Sequence, residues 1–456
     1  MNNLDKNAVS ANKKQRFSRS DLVKLMVPVI LEQFLTALMG TVDTVMIGNV
    51  GSAAMSAVSL VDSINVLIIQ VFAALTAGGA ILCSQYKGRD DKKGAEHSAS
   101  QLVLSVTVIS VILCVVFLLV RNPLLRAIFG SVDADVMADS KIYFFYTVLS
   151  YPFIALFDAG SSVFRAQENT RLPLRVSLTA NMINIVGNSI GIFVLHMGVA
   201  GAAIPTLLSR AFAAIVVICL LSRPGNFISV RNYTRIRPDL NMIKRIMAIG
   251  IPSGIENSMF QLGKLLIQST VATMGTVAIA AQAMTNSLEA LNGIAGMGVG
   301  IAMMTVVGEC IGSGDKDEAV YYIKRMTFDA ELIVAASCLL FFILTKPITA
   351  IAGMDSASTD MCYHMMCWIS VVKPVVWTMS FIPAYGMRAA GDVKFSMILS
   401  SISMWISRVA LCIFLVRYFG MGPMAVWIGM FTDWTVRGLF FTCRFHSRRW
   451  LRHSLI

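Results

Sequence analysis

Asp43, in Thr41-Val42-Asp43-Thr44, is a carboxylate set inside an apolar stretch with no basic residue within helical reach. Placing such a group in hydrocarbon costs at least ~2.5–3.5 kcal/mol on insertion scales, so it needs a partner or a task. A desolvated carboxylate without a fixed counter-ion takes up a proton or a metal cation according to its surroundings, which is the chemistry of an ion-coupled switch. Spacings of four, seven and eleven residues put Glu32, Thr36 and Asp43 near one face of a helix. The plainer alternative is an Asp bonded to neighbouring helices for packing alone.

Asn181, Asn184 and Asn188 follow at spacings of three and four, a one-sided amide stripe, and Thr206 lies on the next apolar stretch. Oxygens from Asp43, Asn184, Asn188 and Thr206 suit a hard cation such as sodium, or would polarise an Asp43 that takes a proton. Amides also glue membrane helices together without further function. In the second half, Asn257, Gln261, Lys264 and Gln268 form one polar stripe and Gln282, Asn286 and Glu289 another. Lys264 and Glu289 are expected to face a central cavity, where Glu289 receives cationic substrates and Lys264 pairs with it or with a nearby amide; a purely structural ion pair is the competing reading. Asp62 is a further cavity candidate. Arg408 and Asp433 are expected to pair, because lone charges at mid-span are costly, and Arg210 lies at similar depth. The methionines, Met297, Met303 and Met304 among them, suit packing or a pliable pocket.

These residues need long apolar helices to hold them. Crossing roughly 30 Å of hydrocarbon takes about 20 helical residues, and such stretches occur near 22–47, 53–84, 98–120, 142–164, 174–195, 200–222, 243–271, 276–308, 328–345, 361–387, 396–418 and 422–443. Helices are expected because each backbone polar group must find its partner within the span. Twelve crossings put both termini on one side. Of 38 basic residues, 28 fall in the termini and alternate connections, from Lys6, Lys13 and Lys14 to Arg452, which places both termini in the cytoplasm.

The two halves repeat. A shift of 224 residues aligns Pro28 with Pro252, Glu32 with Glu256, Gly51 with Gly275, Gly88 with Gly312 and Lys92 with Lys316; Arg165-Ala166 meets Arg388-Ala389 at 223. Because each half has an even number of spans, an axis along the membrane normal should relate them, with a cavity between. The expected fold is an all-α membrane protein of twelve transmembrane helices in two pseudo-twofold-related six-helix lobes around a central cavity. The expected divisions are a cytoplasmic tail (1–21), an amino-terminal lobe (22–222), a basic linker (223–242), a carboxy-terminal lobe (243–445) and a second cytoplasmic tail (446–456).

Composition agrees, with 56% hydrophobic and only 14% charged residues, too apolar for a soluble domain. The net charge of +12 sits in connecting segments, so it reports topology and not nucleic-acid binding. Nine cysteines form no CxxC pair and no metal spacing with His, and no cleavable signal is visible.

At these residues the chain resembles the multidrug and toxic compound extrusion (MATE) family over about 20–445. The resemblance rests on Val42-Asp43-Thr44 with Ile47-Gly48, Gln85-Tyr86-Lys87-Gly88, Arg165-Ala166-Gln167, Asn184-Ile185-Val186-Gly187-Asn188, Gly198 to Ala203, Gly250-Ile251-Pro252 with Glu256-Asn257, and Arg388-Ala389-Ala390-Gly391-Asp392. It implies a V-shaped pair of lobes that exports small organic, often cationic, compounds in exchange for sodium ions or protons. It also implies that Asp43, Asn184 and Thr206 match the family's ion-site residues. Asn188 stands where some members have a second aspartate. Phe260 and Trp377 stand near positions that are acidic in members with a cation site in the carboxy-terminal lobe, so coupling is expected in the amino-terminal lobe alone.

The expectation is a monomeric antiporter in the plasma (inner) membrane, handling a small organic substrate and a coupling cation among lipids, without a cofactor or nucleic acid. A lipid-linked oligosaccharide flippase of the same superfamily is the alternative, against which stand the twelve spans and mixed polar stripes. A major-facilitator transporter fits poorly at Lys87-Gly88-Arg89-Asp90-Asp91. A membrane enzyme lacks support from HExxH, GxSxG or phosphate-loop motifs.

Overall fold

The computed structural model describes residues 16–456 apart from 131, 232 and 454; Lys6, Lys13 and Lys14 lie outside the described residues. Among those described there are thirteen long helices and no strand. They are α1 (Arg19–Gly48), α2 (Ser52–Gly88), α3 (Lys92–Phe129), α4 (Ala134–Leu149), α5 (Tyr151–Ala166), α6 (Arg171–Val194), α7 (Ala200–Leu221), α8 (Leu240–Val271), α9 (Thr276–Gly312), α10 (Lys316–Ile351), α11 (Ser356–Ala389), α12 (Val393–Phe419) and α13 (Met424–His446). Nine are long and apolar enough to cross a membrane, or ten when α4 and α5 count as one span. The remaining two complete twelve crossings. Of these, α8 carries Glu256, Asn257, Gln261, Lys264 and Gln268, and α13 carries Asp433 and Arg437.

The fourth crossing, expected as one helix, is two helices bent by 40° at Ser150. Pro152 stands in the first turn of α5, where it has no N–H with which to continue the ladder from α4. Three further crossings contain π-helical turns, at Ile190–Val194, Lys373–Trp377 and Met404–Ala410. Such turns re-aim the side chains around them.

The sequence repeat is a repeat of backbone geometry. Gly51 and Gly275 precede α2 and α9, both with positive φ (146° and 93°), a conformation that glycine adopts without steric cost. Asp91 and Asp315 cap α3 and α10, accepting from the N–H groups of Gly94 and Glu318.

The lobes meet through α2 against α8 and α1 against α9. Their tightest contact is reciprocal: a Cβ on Gly88 would lie 2.1 Å from the Glu309 carbonyl oxygen, and one on Gly312 would lie 1.9 Å from that of Gln85. Around this seam Gln85 donates to the Ala389 carbonyl (2.7 Å), Lys87 bonds Glu309 (2.9 Å) and also pairs with Glu168, and Thr305 donates to the Arg165 carbonyl (3.3 Å). Both described chain ends lie on the same side. The Phe17 N–H donates to the Tyr322 hydroxyl, which donates to the Phe17 carbonyl, and Arg89 reaches Ile456. Among the described residues, Asn257 to Gln70 (3.2 Å) is the bond between lobes farthest from this terminal side. Beyond it no hydrogen bond or ion pair among the described residues joins the lobes, and Thr36, Lys264, Gln268 and Asn286 are exposed on this open side.

The segment between α7 and α8 is strapped to the first lobe. Gln101 bonds the Arg237 carbonyl and the Asp239 N–H. His97, with the N–H groups of Met242 and Asn241, holds the Asp239 carboxyl below its ordinary pKa.

Candidate ion-coupling and substrate site

Asp43 approaches the far end of α1, the end away from the chain termini. Its Oδ1 accepts from Asn188 Nδ2 (2.7 Å); that amide also reaches Asn184 Oδ1 (3.2 Å), and Asn184 Nδ2 donates to Thr206 Oγ1 (3.0 Å). The structure thus joins all four residues expected at the ion site into one chain across α1, α6 and α7. Asn184, Asn188 and Thr206 are buried, and Asp43 is half-buried. Asn188 Oδ1 is buried without a hydrogen-bond partner, an acceptor beside a carboxylate that suits a bound cation. An amide presents either a donor or an acceptor to Asp43, so the same side chain serves a bare, a protonated or a cation-bound carboxylate. Among the described residues no three His, Cys, Asp or Glu side chains converge as a metal cluster, so the donor set is one carboxylate with neutral oxygens.

A second layer surrounds it. Asp62 Oδ1 accepts from Asn65 (3.0 Å), whose own Oδ1 accepts from the Tyr151 hydroxyl (2.9 Å). Arg210 bonds Ser150 Oγ at the bend (2.8 Å) and lies within electrostatic reach of both Asp43 and Asp62. Asp158 on α5 lies within reach of Arg165 and Arg210.

Glu32 does not share the site of Asp43. It is buried in an ion pair with Arg165 (3.0 Å), because a carboxylate at that depth is stable only when neutralised. Thr36 spends its hydroxyl on the Glu32 carbonyl (2.9 Å). In the second lobe Glu289 is not matched by Lys264. Lys373, fully buried at the π-helical turn of α11, takes Glu289 Oε1 (2.6 Å) and its carbonyl (2.8 Å). Gln282 is turned into the lobe, accepting from the Trp427 indole (3.1 Å) and donating to Asn286 (3.1 Å). Gln261 is half-buried on α8, and Asn257 makes the inter-lobe bond to Gln70. Arg408 and Asp433 pair (2.5 Å).

Phe260 and Trp377 sit among cations. Arg437, fully buried, lies 4.2 Å from the Phe381 ring centroid and 5.1 Å from that of Phe260; Arg408 lies 5.5 Å from Phe260, and Lys373 Nζ 5.2 Å from Trp377. These rings present their negative faces to positive groups.

Sequence reasoning missed Lys373, Arg437, Asp158, Asn65 and Tyr151. The charged ones carried a usable signal: Arg210, Lys264, Lys373, Arg408 and Arg437 are the basic residues that remain once the connecting segments are set aside.

The MatE family model matches residues 28–190 and again 252–414, the second match beginning and ending 224 residues after the first. The chain is 26% identical to the uncharacterized transporter YisQ of Bacillus subtilis, with 98% of each chain covered. It is 25% identical to the probable multidrug resistance protein NorM of Thermotoga maritima, over 96% of this chain and 94% of that one. A solved structure described as the outward-facing conformation of a multidrug resistance MATE family transporter superposes with a TM-score of 0.85 at 19% identity, covering 94% of this chain and 96% of that one.

Proposed function

The chain belongs to the MatE family and is a multi-pass secondary transporter for multidrug export, and from that premise we propose that cation entry at Asp43 drives the export of small organic compounds bearing a cationic group. The observation that carries this reading is the Asp43–Asn188–Asn184–Thr206 chain with its free Asn188 oxygen. A sodium ion or a proton arriving through the open cleft neutralises Asp43 and changes what Asn188 must offer it. That shifts α1 relative to α6 and α7, and α1 also packs on α9 of the other lobe, where Gly298 faces Ile30. The ion site and the seam between lobes therefore share one helix. Two arrangements of that seam, one joined at the terminal side and one parted there, give alternating access. The excess of basic residues supports a cytoplasmic terminal side, and with it a cleft that opens outward in the inner membrane. Cations of the substrate are received by the acids of the first lobe, with Asp62 beside Asp43.

The test is uptake into vesicles holding purified protein, with sodium and proton gradients imposed separately on wild type and Asp43→Asn. Transport under one gradient, lost in the variant, supports the reading. Equal uptake by both proteins removes Asp43 from the mechanism.

A further inference from the structure

The two lobes leave charges of opposite sign without a salt bridge. When the salt-bridged pairs are set aside, the first lobe keeps Asp43, Asp62 and Asp158 around Arg210. The second keeps Lys264, and Arg437 with Nε and Nη1 unbonded, beside the Arg408–Asp433 and Lys373–Glu289 pairs. Lys264 is the exposed residue of this group, and Glu289 is half-buried. It stands seven residues, close to two helical turns, beyond Asn257, so it shares the line of the side chain that crosses to Gln70 and lies farther into the open cleft. Among the described residues no carboxylate comes within salt-bridge distance of it. Glu289, within electrostatic reach of it, is already held by Lys373 (2.6 Å).

A mid-span ammonium that faces water and has no fixed counter-ion is the kind of residue that lines a substrate or ion path, and its charge is available to a group that enters the cleft. We propose that Lys264 is a specificity-determining residue that takes an anionic group, a carboxylate, of the transported molecule, while the molecule's cationic group rests on the first lobe at Asp62. The preferred substrate class is thus amphoteric. This deepens the exporter reading and rests on it. Charge complementarity across the cleft supplies orientation as well as attraction: reversing the molecule end for end sets like charges together.

The experiment uses the full chain in detergent and two probes, rhodamine B, which bears a free carboxylate beside its cationic ring system, and its ethyl ester, which does not. Fluorescence anisotropy reads binding. Wild type is expected to bind rhodamine B more tightly than the ester. Lys264→Gln is expected to weaken rhodamine B by roughly tenfold or more, as the loss of a charge-assisted bond requires, and to leave the ester within about twofold. Lys264→Arg, which keeps the charge, restores rhodamine B. A wild type that favours the ester, or a Lys264→Gln variant that weakens both dyes alike or neither, overturns the proposal. The same dyes in vesicles separate the two readings. Discrimination in binding with no gradient-driven movement of either dye sinks the exporter reading and leaves the bipolar cleft standing; gradient-driven export indifferent to Lys264 does the reverse.

Discussion

The Arg388 guanidinium lies 2.7 Å from Glu256 in the second lobe, in the relation that Arg165 holds to Glu32 (3.0 Å) in the first. Each Glu follows a helix-embedded proline, Pro28 or Pro252, by one turn, and each Arg ends a crossing on the terminal side. The repeated pair ties the first helix of each lobe to the fourth crossing.

Removing one partner leaves the other charge buried and alone, at a cost of about 3–5 kcal/mol for a fully enclosed pair and less here, where both arginines keep some solvent contact. Glu32→Ala and Glu256→Ala should each lower the thermal unfolding midpoint in detergent. The exchanged double variant Glu32→Arg with Arg165→Glu should recover part of it. Unchanged midpoints in both single variants would show that these pairs contribute little.

Asn188→Leu keeps the heavy-atom count and branching of the side chain and removes both the donor to Asp43 and the unbonded oxygen. Gradient-driven transport should fall by roughly tenfold or more, the scale of a lost bond to a charged group, while substrate binding without a gradient holds. A parallel loss of binding and transport would place Asn188 in packing and not in coupling.

Gly88→Val puts a branched side chain where the Glu309 backbone lies, so the lobes cannot close on the terminal side. Cys310, one residue from Glu309 and fully buried, should then react with maleimide in a background where the exposed Cys219, Cys367 and Cys443 are serine. Continued protection of Cys310 would mean that the seam tolerates the bulk.

Tyr322→Phe removes the hydroxyl that holds both backbone groups of Phe17. The segment ahead of α1 should come away from α10, and trypsin should cut at Arg16 and Arg19 several-fold faster. Cleavage at the wild-type rate would show that the edge-on packing of Phe17 and Tyr322 (5.6 Å) holds the segment unaided.

Much of this was legible because lipid imposes simple rules on a chain. Apolar runs marked the helices, and Asp43 stood out as an acid with no basic residue within helical reach; Asn184 and Asn188 followed from helical spacing. What spacing does not encode is which side chains meet across helices. Lys373 and Glu289 are separated by 84 residues, and α11 reads as a continuous apolar run that hides the lysine. Gln282 has the periodicity of a cleft residue, but Trp427 offers it a buried donor and turns it inward. The bend at Ser150 required knowing that Pro152 falls in a first turn, which the hydropathy of the surrounding residues conceals.

The reciprocal glycine contacts at the seam make each half of the chain its neighbour's docking template. A polypeptide severed between α7 and α8 should therefore reassemble from its two pieces when they are co-expressed, since the information for joining them is written twice in the spans and does not depend on the tether.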